Sequence, residues 1–376
     1  MSRRVLIYVQ HLLGIGHVRR MVLVANALLA DGAEVLFVTG GAPVRHIRPE
    51  SGVEMMQLPA ISAADVDFSG LVDDQGEPVD DWLKQQRTDM LIAAIQDFTP
   101  DVILVEMFPF GRRQMRFELL PMLRTAREMS PRPRIVSSVR DIINSRPHRL
   151  TEMFGWLNTC FDEVVVHSDP ALFDLAESVP DLDQFAGRVS YSGYITPPIA
   201  AAEHDPDGET GEILVSAGGG AVGEKLFDLS AEAAGRMPEL NWRFRHRAQE
   251  SPTRLAHWRR LAPDAVFEPV GGNFLRQLGH AGLSISQAGY NTVCDLFSTG
   301  CRSILAPFAG GSETEQTRRA ARLAGMGFAV LPTDATASDL AEMVRRTLKS
   351  APPQVAGIRT GGAAETARIL LNSADD

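Results

Sequence analysis

Along the chain, short uninterrupted apolar runs alternate with longer stretches in which apolar residues return every three or four positions. Residues 5–10 read as a strand, and an unbroken apolar run of this kind suits a strand buried on both faces. Residues 18–31 carry Val18, Met21, Val22, Val24, Ala25, Leu28 and Leu29, the spacing of a helix with one apolar side. Gly32 follows where a helix-terminating glycine belongs. Further strands are predicted at 34–39, 102–106, 134–138 and 163–167, with a helix over 82–98 ended by Pro100. A strand–helix–strand alternation predicts a parallel, doubly wound sheet.

The pattern then starts again. Residues 197–211 are rich in Pro, Gly, Asp and Ala and read as a linker. Beyond them, strands are predicted at 212–216, 242–246, 265–268, 283–286, 303–307 and 329–331, with helices at 224–236, 315–324, 338–350 and 363–372. The expected fold class is α/β, with two Rossmann-like domains facing across a cleft. The expected boundaries are 1–196 for the first domain, 197–211 for the linker and 212–350 for the second domain. Residues 351–376 form a C-terminal helix, after Pro352-Pro353, that is a candidate to pack back on the first domain. A length of 376 residues suits two domains.

Composition narrows the function classes. A net charge of -10 disfavours general nucleic-acid binding, which needs a basic footprint. No window approaches 18 uncharged apolar residues, so no spanning helix is expected. The basic start at Met1-Ser2-Arg3-Arg4 runs directly into a strand and is not read as a signal peptide. Cys160, Cys294 and Cys301 lack paired spacing and fit a reducing compartment, so the expected location is the cytoplasm. Local charge is uneven. Residues 62–81 hold seven acids and no base, whereas 111–134 hold seven arginines interleaved with Met115, Phe117, Leu119, Leu120, Met122 and Leu123. The second segment admits two readings. One is a basic, apolar helix lying on the inner face of a membrane, which Pro121 would interrupt; the other is an ordinary amphipathic helix with a charged outer face.

Candidate chemistry gathers at the strand-to-helix turns. In Gln10-His11-Leu12-Leu13-Gly14-Ile15-Gly16-His17-Val18, Gly14 and Gly16 allow a tight turn, and a helix N-terminus follows. The dinucleotide fingerprint fails here, because Arg19 stands where its third glycine belongs. Thr39-Gly40-Gly41 also replaces the acid expected after the second strand. His17 is either a general base or a residue that merely packs the turn. Ser216-Ala217-Gly218-Gly219-Gly220 offers backbone N–H groups to a phosphate, or is a plain turn; no Gly-Lys-Ser/Thr follows. Ser286-Gln287-Ala288-Gly289-Tyr290-Asn291-Thr292-Val293-Cys294-Asp295 repeats the strand–glycine–helix plan. There Asp295 is either a ribose-binding carboxylate or a charge favoured by the helix dipole. Asp65-x-Asp67, Asp181-x-Asp183 and Asp205-x-Asp207 lie in turn-like stretches and read as solvated surface rather than a metal site.

Together Gly14-Ile15-Gly16-His17-Val18, Ser216 to Gly223, Ser286 to Asp295 and the loop Ala306-Pro307-Phe308 through Glu315-Gln316 resemble, in order, the GT-B glycosyltransferases of the family 28 type. This is the family of the N-acetylglucosaminyltransferase that makes lipid II. Glu106-Met107-Phe108-Pro109-Phe110-Gly111-Arg112 and Ser138-Val139-Arg140-Asp141-Ile142 are closer still to one branch of predicted glycosyltransferases. The resemblance implies a metal-independent, inverting transfer of a hexose from a UDP-sugar co-substrate to an acceptor hydroxyl in cell-envelope or glycan biosynthesis. No other cofactor and no nucleic acid take part. On the donor side it implies Gly218, Gly219, Gly220, Ser286, Gly289, Asn291, Thr292, Asp295, Glu315 and Gln316. On the acceptor side it implies Gly14, Gly16, Glu106, Arg112 and Arg140, with His17 as first and Asp141 as second choice of base. Glu106, Arg112, Arg140 and Asp141 admit a second reading as a buried ion-pair network. The string Gly14-Ile15-Gly16-His17-Val18 with Arg20 also resembles the UDP-sugar hydrolase of pseudaminic acid synthesis. That leaves hydrolysis, or nucleotide-sugar binding without turnover, as alternatives. The acceptor, whether lipid, glycan, protein or small molecule, is not legible.

Overall fold

The computed structural model describes residues 2–44, 47–65, 70–144, 147–198, 211–217, 223–308 and 314–372. Two compact units divide the chain. Unit 1 comprises Met1–Ile195 together with Gly361–Asp376, and unit 2 comprises Thr196–Thr360.

Unit 1 runs β1 (Arg4–Val9), α1 (Gly16–Ala30), β2 (Glu34–Thr39), β3 (Glu54–Gln57), β4 (Ser62–Ala63), β5 (Leu71–Val72), α2 (Asp81–Phe98), β6 (Val102–Glu106), α3 (Arg116–Glu128), β7 (Arg134–Arg140), α4 (Leu150–Cys160), β8 (Glu163–His167) and β9 (Val189–Tyr191). Seven strands form one parallel sheet in the order β3-β2-β1-β6-β7-β8-β9; β4 and β5 pair separately as an antiparallel ribbon. Side chains alternate between the faces of a strand, and β1 shows it. Leu6 and Tyr8 join a core with residues of α2, α3 and α4, while Val5, Ile7 and Val9 join a second core with α1. The same second core takes in Ala367 and Leu370 of the last helix, Gly362–Leu371. That helix is anchored where Gly362 donates its N–H to Tyr194 O at 3.0 Å. A Cβ on Gly362 would stand 2.4 Å from Gly193 O, so only glycine fits.

Unit 2 runs β10 (Ile213–Ser216), α5 (Glu224–Gly235), β11 (Trp242–His246), α6 (Pro252–Leu261), β12 (Val266–Pro269), α7 (Phe274–His280), β13 (Leu283–Ser286), α8 (Tyr290–Thr299), β14 (Ser303–Leu305), α9 (Glu315–Ala324), β15 (Ala329–Val330) and α10 (Ala337–Thr347). The last helix of the chain, in unit 1, is α11. The six strands are parallel in the order β12-β11-β10-β13-β14-β15. Both sheets reverse their strand order once, between β1 and β6 and between β10 and β13. Open α/β sheets bind ligands beyond the carboxyl ends of strands at such a switch point.

One sequence expectation is corrected. The helix over 111–134 is not broken by Pro121: α3 passes through it. Proline removes the N–H that would bond Phe117 O, and the Thr88 hydroxyl of α2 lies 3.4 Å from that carbonyl instead. Leu119, Met122 and Leu123 of α3 are buried in the core, and Arg116, Arg124, Arg127 and Glu128 are turned outward. Among the described residues no helix is long and apolar enough to cross a membrane.

One buried ion pair clamps the first turn to α2 and α3. Arg87 Nε and Nη2 each donate to Glu118 at 2.7 Å, and both residues are fully buried. Arg87 also donates to Gln10 Oε1 at 2.9 Å and to Gly40 O at 3.0 Å, and Tyr8 hydroxyl donates to Glu118. Gln10 Nε2 in turn donates to Ile61 O at 3.0 Å. A Cβ on Gly40 would stand 2.2 Å from Gln10 Oε1, so this glycine makes room for the clamp. Arg87→Met strips the buried Glu118 carboxyl of its arginine partner, and should destabilise unit 1 by about 3–5 kcal/mol. Urea denaturation followed by circular dichroism measures the loss; an unchanged midpoint would show that the clamp adds nothing.

Candidate active site and donor site

The switch point of unit 1 brings together residues from α1 and β6. Ile15 precedes α1 without a side-chain cap, and no acidic residue occupies the first turn. The amides of that turn and the helix dipole therefore favour an anion or a developing negative charge. His17 is the second residue of α1. Its Nδ1 lies 2.7 Å from Oε1 of Glu106, the last residue of β6 and wholly buried. Arg20, one turn along α1 and 2% exposed, donates from Nη2 to the same oxygen and lies 3.5 Å from His17 Nδ1. Among the described residues His17 Nε2 makes no hydrogen bond, and the side chain is 17% exposed.

Electrostatics fix the protonation of this group. Burial holds the His17 imidazole neutral, down to about 3; Glu106 pulls the other way, and Arg112 and Arg20 reinforce burial. Burial alone would raise the Glu106 carboxyl, but His17, Arg20 and Arg112 outweigh it and hold the group at about 2. An ionised carboxylate only accepts, so His17 Nδ1 carries the proton and Nε2 the free lone pair. This is the tautomer of a general base.

Other predicted residues of unit 1 surround the pair. Arg112 has a left-handed backbone at φ 56, and its Nε donates to Gln10 O at 2.7 Å. Its guanidinium makes no other hydrogen bond among the described residues. Arg140 ends β7, and its charge acts on Arg112. Asp141 is fully buried, with Oδ1 taking the Ile142 N–H at 2.8 Å. Of the two candidate bases, His17 is thus the one that solvent reaches. Gly14 has nothing within 4 Å of where a Cβ would stand, so that turn is open; Gly16 is the first residue of α1.

Sequence reasoning missed His167. Fully buried at the end of β8, it faces Ser138 Oγ through Nε2 at 2.7 Å and Ser192 Oγ through Nδ1 at 2.9 Å; Thr366 of α11 lies 3.5 Å from Nδ1. Burial and Arg20 hold it neutral, at about 3, against Glu106. The signal was present: a titratable residue closes an apolar strand, the position that Glu106 holds on β6.

In unit 2, Ser286 closes β13, and its buried Oγ has no hydrogen-bond partner among the described residues. Gly289 caps α8 in an extended conformation, and Asn291 and Thr292 stand half-buried in the first turn. Asp295, one turn further, is buried. Arg319 of α9, also buried, donates to Ala288 O at 2.8 Å and holds the loop ahead of α8. Glu315 opens α9 and is buried. Gln316 Oε1 accepts the Phe308 N–H at 3.0 Å, which leaves its amide nitrogen for other partners. Gly218, Gly219 and Gly220 lie outside the described residues, as do Asp67, Asp205 and Asp207. Asp181 and Asp183 are exposed, and among the described residues no group of three or more His, Cys, Asp and Glu could hold a metal.

A neutral buried histidine takes up its proton only on unfolding. The unfolded chain therefore binds more protons between about pH 6.5 and 3, and stability must fall as the pH drops through that window. Each such histidine contributes about 1.4 kcal/mol per pH unit. His167→Gln should flatten the pH dependence of unit 1 stability by about that slope between pH 4 and 6. Urea titrations across the range check it; an unaltered slope would mean that His167 is charged in the fold.

Comparison with known proteins places these features. Residues 259–360 match the model of the glycosyltransferase family 28 C-terminal domain. Over 177 residues the chain is 30% identical to UDP-N-acetylglucosamine–N-acetylmuramyl-(pentapeptide) pyrophosphoryl-undecaprenol N-acetylglucosamine transferase of Pseudomonas putida, covering 46% of this chain and 49% of that protein. The chain thus spans about half the length of this curated relative. Two solved structures align over nearly the whole chain. The calicheamicin glycosyltransferase CalG4 has TM-score 0.64 at 16% identity, with 100% of both chains covered. MurG of Acinetobacter baumannii has TM-score 0.61 at 14% identity, with 98% of this chain and 99% of that one covered. Residues 259–360 are thus similar to the glycosyltransferase family 28 C-terminal domain, and the chain has the two-unit GT-B fold of the solved structures it aligns with.

Proposed function

We propose that the chain is a glycosyltransferase that moves a sugar from a UDP-sugar to an acceptor hydroxyl, unit 1 holding the acceptor and unit 2 the donor. The observation that carries this reading is the His17–Glu106 pair at the switch point of unit 1, with Nε2 unbonded on a partly exposed imidazole. In the reaction, Nε2 takes the proton of the acceptor hydroxyl as its oxygen attacks the anomeric carbon. The bond from that carbon to the diphosphate breaks, and UDP leaves with the electron pair. Attack from the face opposite the leaving group inverts the centre. The imidazolium so formed is stabilised by Glu106, which holds its Nδ1–H.

In unit 2, the backbone amides of Gly218, Gly219 and Gly220 and the uncapped N-terminus of α8 suit the charge growing on UDP, so the proposed transfer needs no metal. Asp295 is the proposed ribose partner. Glu315 and the free amide of Gln316 are the proposed sugar contacts. The pyrophosphoryl-undecaprenol in the name of the Pseudomonas putida relative gives a model for the acceptor. An anionic acceptor suits the guanidinium of Arg112 beside the uncapped start of α1, and such an acceptor fits a proposed role in cell-envelope glycan synthesis at the cytoplasmic face of the membrane.

The test is UDP release from a panel of UDP-sugars, first without acceptor and then with cell extract. Release only with extract is expected. Release without it would mark a hydrolase, and no release with no UDP binding would sink the reading. His17→Ala should lower kcat by about 10²–10⁴-fold and leave donor affinity unchanged. Asp295→Asn should weaken UDP binding by about 1–3 kcal/mol in calorimetry, through loss of charge-assisted hydrogen bonds; equal affinity would remove Asp295 from the ribose role.

A further inference from the structure

Two tautomers of His17 are compatible with a 2.7 Å contact to Glu106. In one, an ionised carboxylate accepts the Nδ1 proton and Nε2 is a base. In the other, a protonated carboxyl donates to Nδ1 and the imidazole proton sits on Nε2, where it cannot take a proton from an acceptor. The carboxyl is fully buried, and burial favours its neutral form. Taken alone, the buried pair drifts towards the incompetent tautomer. Some cation has to reverse this.

The charged and titratable groups around the pair come from every side. Arg20 is on α1, Arg112 on the loop after β6, Arg140 at the end of β7 and His167 at the end of β8; Tyr8 on β1 is felt through Arg112. His167 is held neutral. Arg112 spends its hydrogen bond on the Gln10 carbonyl, and Arg140 acts on Arg112. Arg20 touches the carboxylate, on the very oxygen that meets His17, and it is shut off from water. Its place is dictated by helix geometry: residues three apart on α1 lie on one face, so His17 and Arg20 reach one partner together.

We infer that Arg20 is a positioning residue for the transfer reaction, keeping Glu106 ionised so that His17 carries its proton on Nδ1 and presents Nε2 as the base. The inference rests on the reading of His17 as base but is tested separately from it.

The experiment is two-bond proton–nitrogen correlation NMR of the full chain at neutral pH, with the His17 signals assigned by their loss in His17→Gln. The wild-type imidazole should show the Nδ1–H tautomer; an Nε2–H pattern overturns the inference without recourse to any variant. In Arg20→Met the tautomer should switch to Nε2–H, and kcat with the active UDP-sugar should fall about a hundredfold or more at unchanged donor KM. Arg20→Lys, which keeps the charge, should retain Nδ1–H and recover at least tenfold of that loss. An Arg20→Met protein that keeps both the Nδ1–H tautomer and full kcat refutes the role. If His17→Ala leaves transfer intact, the base reading falls instead, and the tautomer measurement still decides what Arg20 does.

Discussion

Taking a carboxylate out of water costs several kcal/mol unless charge and hydrogen bonds replace the solvent. Glu106 imposes that constraint on unit 1. It closes a strand at the centre of a seven-stranded parallel sheet, where no water reaches it. What surrounds it follows: α1 must begin close enough for His17 and Arg20 to share one oxygen, and the turn between β1 and α1 must be held at one height above the sheet. The Arg87–Glu118 clamp meets the second need by gripping Gln10 from the opposite face. Two buried acids, each matched by a buried arginine, thus flank the same turn from the two sides of the sheet.

Unit 2 uses the same topology with different means. Its switch point is furnished with hydroxyls, glycine and an uncapped helix start, and buried Arg319 holds the loop before α8 through a backbone carbonyl. A site of backbone amides and small polar groups suits a diphosphate. A site with a neutral imidazole on a buried carboxylate suits proton transfer. The division of labour proposed between the units follows from that contrast in chemistry.

The sequence makes some of this legible and hides the rest for physical reasons. Strand β8 sits where its apolar run places it, and β11 and β13 sit where the alternation of Trp242, Arg243, Phe244 and Arg245 and of Leu283, Ser284, Ile285 and Ser286 places them. The edge strands β3 and β9, half-exposed and short, carry no such run and were not anticipated. Pro121 misled because the hydroxyl beside Phe117 O comes from another helix, which no local pattern reveals. His17 and Glu106 each stood out at the end of a strand-to-helix passage, but their contact spans 89 residues of chain, and only the sheet order brings them together. Arg20 entered only as a member of the string that begins at Gly14, and His167 only as the end of a strand. Their parts depend on neighbours contributed by other elements.

The anchoring of α11 has a consequence for synthesis. Ala367 and Leu370 complete a core whose other members include Val5, Ile7 and Val9, so unit 1 is assembled from both ends of the chain with unit 2 inserted between them. Domains generally fold in the order in which they leave the ribosome. Here the first unit to emerge is the last that can be completed: unit 2 has all its strands in hand while the face of the first sheet that α11 will cover is still open to water. A premature stop near residue 360 would spare unit 2 and leave unit 1 with an exposed apolar face, a state suited to capture by chaperones.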